Sequence, residues 1–171
     1  MGSLQPRKNL PALLRAWETL CSAELPGFSE LYLVIAGETG RAFRREGWPR
    51  LPERVLLLGY VPETDLPGLY AGAEVFVLPA WDEGFGLTIL EAMACGTAVI
   101  ASQRGALPEV SGGAALLFDP SLPSALLAAL EQVLTEPGVR AGLVEKGLRR
   151  SANSGWEQPA QDLWRVIQAC Q

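Results

Sequence analysis

Five short apolar runs, each closed by a turn residue and each followed by a helical pattern, constrain this chain most. Leu31–Ala36 ends at Gly37, Val55–Leu58 at Gly59, Val75–Leu78 at Pro79, Ala98–Ala101 at Ser102, and Ala115–Phe118 at Asp119-Pro120. A strand that shows one face to water alternates apolar and polar residues. An uninterrupted apolar run needs cover on both faces, as in a parallel sheet between two helix layers. The intervening segments carry the other period. Leu10, Leu13, Leu14, Trp17, Leu20 and Cys21 recur at i, i+3, i+4 and i+7, as do Leu122, Leu126, Leu127, Leu130, Val133 and Leu134. Leu163, Val166, Ile167 and Cys170 predict a closing helix. Strand and helix in alternation define an α/β, doubly wound parallel sheet with right-handed crossovers.

The 171 residues suit one domain, which can bury a core without disulfides or metals. Trp17, Trp164 and Phe76 fall at apolar positions and are expected in that core. Gly37–Arg54, rich in Arg, Gly and Pro, is expected to be a loop. In a doubly wound sheet the phosphate-binding helix follows a central first strand. Here the first helix begins at about Pro6 to Leu10, and residues 1–4 are too few for that strand. The first strand is therefore expected to be missing, its place closed by a neighbour or supplied by another chain.

Charge and composition exclude several functions. With 14 basic and 19 acidic residues the net charge is −5, against a non-specific nucleic-acid binder. There is no histidine, which removes a Ser-His-Asp triad and any His-ligated metal. Cys21, Cys95 and Cys170 lack zinc spacing and read as reduced thiols of a cytoplasmic protein. No apolar run approaches the roughly 20 residues of a spanning helix, and no signal-peptide pattern opens the chain.

The chemistry concentrates in Trp81–Ile100. A strand end leads into a loop with Gly84 and Gly86, then a helix, a stop at Gly96, and another strand. That order puts the glycines at a strand's carboxyl end, where open α/β sheets bind ligands. Glycine lets a ligand approach the backbone. The amides around Gly86, Leu87 and Thr88 project from a helix N-terminus, whose partial positive charge suits phosphate. Glu91 lies three residues beyond Thr88, on the same face and about 4.5 Å along the axis. A carboxylate there suits a ribose diol, and Glu83 on the loop faces a sugar beyond the phosphate. Taken singly, each residue reads best as a turn glycine or a solvated charge; together, at this spacing and between two buried strands, they favour a site. The dinucleotide fingerprint G-x-G-x-x-G fails, because Gly84-Phe85-Gly86 is followed by Ile89. Arg7 and Lys8, the latter one of two lysines, sit at the first helix's start, where cations oppose the dipole unless an anion is present. A bound diphosphate and an ordinary solvated pair explain them equally well.

Glu83-Gly84-Phe85-Gly86-Leu87 with Glu91 resembles the E-x7-E motif of retaining glycosyltransferases of the GT-B fold (glycosyltransferase group 1). The resemblance continues in Pro6–Leu10, Val55–Pro62, Leu66–Ala73, Glu109-Val110 and Trp156-Glu157. It implies one Rossmann-like half of a GT-B fold, the C-terminal domain that binds a nucleotide-diphosphate sugar (UDP-, GDP- or ADP-linked), spanning residues 1–171. It implies transfer with retention, without a metal or other cofactor. Carried over, Glu91 holds the ribose. Glu83, Gly84, Phe85 and Gly86 hold the donor sugar. Leu87, Thr88, Arg7 and Lys8 meet the diphosphate, and Tyr60 and Val61 edge the base. Arg7, Lys8 and Glu83 are the expected catalytic groups. The acceptor-binding N-terminal domain of the family is not represented, so the chain is expected to be inactive alone, and any peripheral membrane contact belongs to that domain. A stand-alone nucleotide-sugar-binding regulatory subunit would use the same pocket. A sugar-nucleotide epimerase fragment is disfavoured by the lack of histidine, and a phosphorylase-like enzyme by the placement of Lys146.

Overall fold

The computed structural model of the chain describes residues 5–23, 28–37 and 51–169. A single 3-10 turn, Pro6–Lys8, leads through Asn9 into helix α1, Leu10–Ser22. Asn9 takes a left-handed conformation (φ 53°), which lets the chain turn sharply between the two. The remaining elements are β1 (Leu33–Ala36), β2 (Val55–Gly59), α2 (Leu66–Ala71), β3 (Val75–Leu78), α3 (Leu87–Ala94) and β4 (Ala98–Ser102). They are followed by α4 (Leu107–Ser111), β5 (Leu116–Phe118), α5 (Ala125–Thr135), α6 (Pro137–Ala152) and α7 (Glu157–Ala169). All five apolar runs form strands, with ends that match the runs to within two residues. Leu122 precedes α5 and is exposed rather than part of its apolar face.

The strands form two parallel sheets, ordered β1-β2 and β3-β4-β5. In the larger sheet Val75 to Leu78 pair with Ala98 to Ala101, and Ile100 to Ser102 with Leu116 to Phe118. Among the described residues no strand joins the two sheets. The chain entering at Arg7 runs beside the end of β3, where the Trp81 amide donates to the Arg7 carbonyl at 2.7 Å.

β4 shows why its sequence is continuously apolar. All five of its residues are buried. Ala98 and Ile100 face α1, α5 and α6, joining Leu13, Trp17, Leu20, Leu130 and Val133. Val99 and Ala101 face α2, α3 and α4, joining Tyr70, Ile89, Met93, Leu107 and Val110. Side chains alternate across a strand, so covering both faces demands an apolar residue at every position. β2 departs from that expectation: Leu56, Leu57 and Leu58 are exposed among the described residues. Most of the Gly37–Arg54 segment, residues 38–50 with Trp48 among them, lies outside the described residues, as does Cys170.

The closing helix forms, but it does not join the core. α7 has no buried residue, and Leu163, Trp164, Val166 and Ile167 all face outward. Trp164, 60% exposed, is therefore not a core residue, whereas Trp17 is, and Phe76 packs edge-on against Tyr70. The periodicity predicted the helix correctly; which surface covers its apolar stripe depends on tertiary partners that periodicity does not specify. Among the described residues, no helix is long and apolar enough to cross a membrane.

Candidate functional site

The loop from Pro79 to Gly86 connects β3 to α3 at the strand's carboxyl end. Gly86 is the residue before α3 and has φ +86°, a conformation costly for any residue with a Cβ. A Cβ there would also sit 2.5 Å from Leu107 Cδ2. Glycine is thus required to turn the loop tightly into the helix. No side chain caps α3. Its first amides, at Leu87 and Thr88, therefore lie at an uncapped N-terminus, the arrangement that favours an anion. Thr88 is half-buried, while Phe85 and Leu87 are exposed.

Across 75 positions of sequence, the fold brings Lys8 and Arg7 to Glu83. Lys8 Nζ donates to Glu83 Oε2 at 2.5 Å, with both side chains mostly buried. Arg7 Nη1 approaches the same oxygen at 3.4 Å and donates to the Asp82 carbonyl at 3.1 Å. Two cations at the start of a helix therefore have a carboxylate partner. That ion pair accounts for much of the charge anomaly which the sequence alone left open to a diphosphate.

Glu83 is held from behind as well. The amide of Ala106 donates to the Glu83 carbonyl at 3.3 Å. Gly105, with φ +55°, lies so close that a Cβ would stand 2.5 Å from the same oxygen. This anchoring turn follows β4. Sequence reading passed over it because a glycine's φ and its neighbours are tertiary facts, and the chain has 18 glycines. The hydroxyl of Ser102 donates to the Ala80 carbonyl at 2.5 Å, tying β4 to the start of the same loop.

Glu91 projects from α3, exposed except where Tyr70 Oη donates to its Oε2 at 2.9 Å. Burial, and then the hydrogen bond to Glu91, raise the Tyr70 phenol well above its ordinary range. The phenol stays protonated and acts as a donor. Tyr70 lies in the Leu66–Ala73 segment already singled out, but only the fold shows that its hydroxyl reaches a carboxylate. Tyr60, after β2, is largely exposed, and Val61 follows it. Among the described residues, neither hydrogen-bonds the Arg7–Lys8–Glu83 cluster or the Tyr70–Glu91 pair. Arg104 turns to Asp119, at 2.8 Å, rather than to the loop. Cys95 is half-buried and packs beneath α3, as a small core residue would.

The fold is that of one Rossmann-like half of a GT-B glycosyltransferase. The chain superimposes on sucrose-phosphate synthase from Thermosynechococcus elongatus with a TM-score of 0.81 and 28% identity, covering 99% of this chain and 45% of that one. It shares its fold with the C-terminal domain of a glycosyl transferase group 1 family protein (LpcC) from Francisella tularensis, at TM-score 0.74 and 21% identity, covering 90% of this chain and 83% of that one. Residues 1–150 match the family model for glycosyl transferases group 1, and the chain belongs to that family. It is 38% identical over 167 residues to O-antigen chain mannosyltransferase B of Escherichia coli, covering 92% of this chain and 42% of that protein. It is 33% identical over 181 residues to D-inositol 3-phosphate glycosyltransferase of Salinispora arenicola, covering 97% and 39%. The chain thus spans about two fifths of the length of these curated relatives.

Proposed function

We propose that this chain is the donor-binding half of a retaining, metal-independent glycosyltransferase and seats a nucleotide-diphosphate sugar between α1's leading turn and the N-terminus of α3. The observation that carries this reading is the convergence of Lys8, Arg7 and Glu83 beside an uncapped helix N-terminus, with Glu91 one turn further along α3. The diphosphate sits on the amides of Leu87 and Thr88 and draws Lys8 and Arg7 to itself. Glu83, released from the two cations, then accepts hydroxyls of the donor sugar, with Gly84, Phe85 and Gly86 lining its approach. Glu91 takes the ribose diol, since a carboxylate accepts two hydroxyls well. Tyr60 and Val61 flank the base.

In this arrangement the leaving diphosphate gains negative charge as the glycosidic bond to it breaks. Lys8, Arg7 and the α3 amides are preorganised where that charge grows, and such stabilisation is usually the largest catalytic contribution. The acceptor and its binding surface belong to a second domain. The isolated 171 residues therefore bind donor and transfer nothing. O-antigen chain mannosyltransferase B, the 38% identical relative, makes a mannosyl donor the first to try.

Calorimetric titration of the chain with UDP, GDP and ADP and their sugar conjugates tests the reading, alongside Glu91→Ala. One nucleotide is expected to bind preferentially, and Glu91→Ala to weaken it about tenfold or more, the loss of hydrogen bonds to a charged group. Equal binding by wild type and Glu91→Ala would remove Glu91 from the site. Transfer to acceptor by the isolated chain, at rates near those of a complete enzyme, would contradict the division of labour.

A further inference from the structure

We propose that Tyr70 is a positioning residue that aims the Glu91 carboxylate at the ribose and so sets how strongly the site distinguishes ribose from deoxyribose. The inference rests on the ribose role given to Glu91 above. Glu91 stands on an exposed helix face, where a glutamate samples several rotamers. Tyr70 removes that freedom. Its Oη donates to Oε2 at 2.9 Å, while the ring is 3% exposed.

Tyr70 is itself fixed at several points. The ring packs edge-to-face on Phe76, with centroids 5.4 Å apart and planes at 81°. Its carbonyl accepts from Thr97 Oγ1 at 2.6 Å, in a buried bond. The Thr97 amide in turn donates to the Ala92 carbonyl in α3, at 3.0 Å. The phenol and the carboxylate thus belong to one braced unit joining α2, α3 and the start of β4.

A carboxylate has about four lone-pair sites. Tyr70 occupies one of them on Oε2, leaving Oε1 and the rest of Oε2 for a diol. Phenylalanine would fill the same core space, so packing alone does not require the hydroxyl. Burying a hydroxyl is unfavourable unless it finds a partner. Here the partner is an otherwise solvent-facing carboxylate of the site.

The test is Tyr70→Phe, titrated with the nucleoside diphosphate that wild type prefers and with its 2′-deoxy form. Tyr70→Phe is expected to weaken the ribonucleotide about three- to tenfold, as for one lost or misdirected hydrogen bond. The deoxynucleotide is expected to change much less, so ribose discrimination falls. On a Glu91→Ala background the same substitution is expected to cost nothing further. Glu91→Asp serves as a second variant that leaves the buried ring alone: shortened by one methylene, the carboxylate withdraws from Tyr70, and the same loss of discrimination is expected. Equal effects on both nucleotides, or undiminished effects without Glu91, would make Tyr70 merely structural and overturn the proposal. So would ribonucleotide binding unchanged by Tyr70→Phe while Glu91→Ala still weakens it, an outcome that leaves the donor-site reading standing. Absence of nucleotide binding by wild type would instead overturn that reading, and this proposal with it.

Discussion

An alanine Cβ at Gly105 would lie 2.5 Å from the Glu83 carbonyl oxygen and 3.1 Å from the Glu83 amide nitrogen, in a backbone with φ +55°. Neither backbone neighbour yields cheaply, so Gly105→Ala is expected to destabilise the chain by about 1–3 kcal/mol and to displace Glu83. Thermal melting and donor titration would register the two effects separately. The Tyr70–Glu91 pair makes stability fall at high pH. Folding raises the Tyr70 pKa above its ordinary 10.0, first by burial and then through Glu91. Its contribution is therefore fully present below about pH 10 and is lost as the pH rises beyond it. Denaturant midpoints measured from pH 8 to 11 should fall for wild type and fall less for Tyr70→Phe. Asp119 has the opposite sign. The amide and hydroxyl of Ser121, and then Arg104, hold its carboxyl below the usual 3.8. Its contribution is present above about pH 4 and is lost on acidification, a dependence that Asp119→Asn should flatten in acid denaturation.

At the scale of elements, β4 and α7 are opposites. β4 is buried on both faces, and Ile100 is wholly inaccessible. Ile100→Ala is expected to cost about 2–5 kcal/mol, read from the shift in denaturant midpoint. α7 buries nothing. Ending the chain at Gly155 is expected to leave the melting temperature of the remainder within about 2 °C of wild type. A larger drop would mean that α7 packs on this chain in solution. Both helices and strands were legible in the sequence, because a 3.6-residue period and an unbroken apolar run closed by a turn residue are local properties of the chain. The difference between the two elements was not. Leu163, Trp164 and Ile167 make as regular a stripe as Leu126, Leu130 and Val133, yet only the latter meet a sheet.

The whole molecule is divided by its topology. β1-β2 and β3-β4-β5 each pair internally, but no described strand joins them. α1 bridges the division, with Leu14 against Ile35 on one side and Leu13, Trp17 and Leu20 in the core shared with Ala98 and Ile100 on the other. A strand edge without a neighbour leaves its backbone amides and carbonyls unpaired within the sheet. Lengthening the chain at its amino end by an apolar strand of about five residues is therefore expected to raise both the denaturant midpoint and m, since more surface is buried. Unchanged values would mean that the added strand does not pair in the gap.

The order of strands and helices, the glycine loop and the spacing of Glu83 and Glu91 were all readable from the sequence. Each follows from short-range spacing, and backbone geometry turns spacing into placement without reference to distant parts of the chain. Only the tertiary structure decided that Lys8 and Arg7 meet Glu83, that Gly105 braces the motif loop, that Tyr70 holds Glu91, and that α7 stands apart from the core. These are contacts between residues far apart in the sequence, or contacts not made at all. Such contacts are set by how layers pack over a sheet, and no local period encodes them.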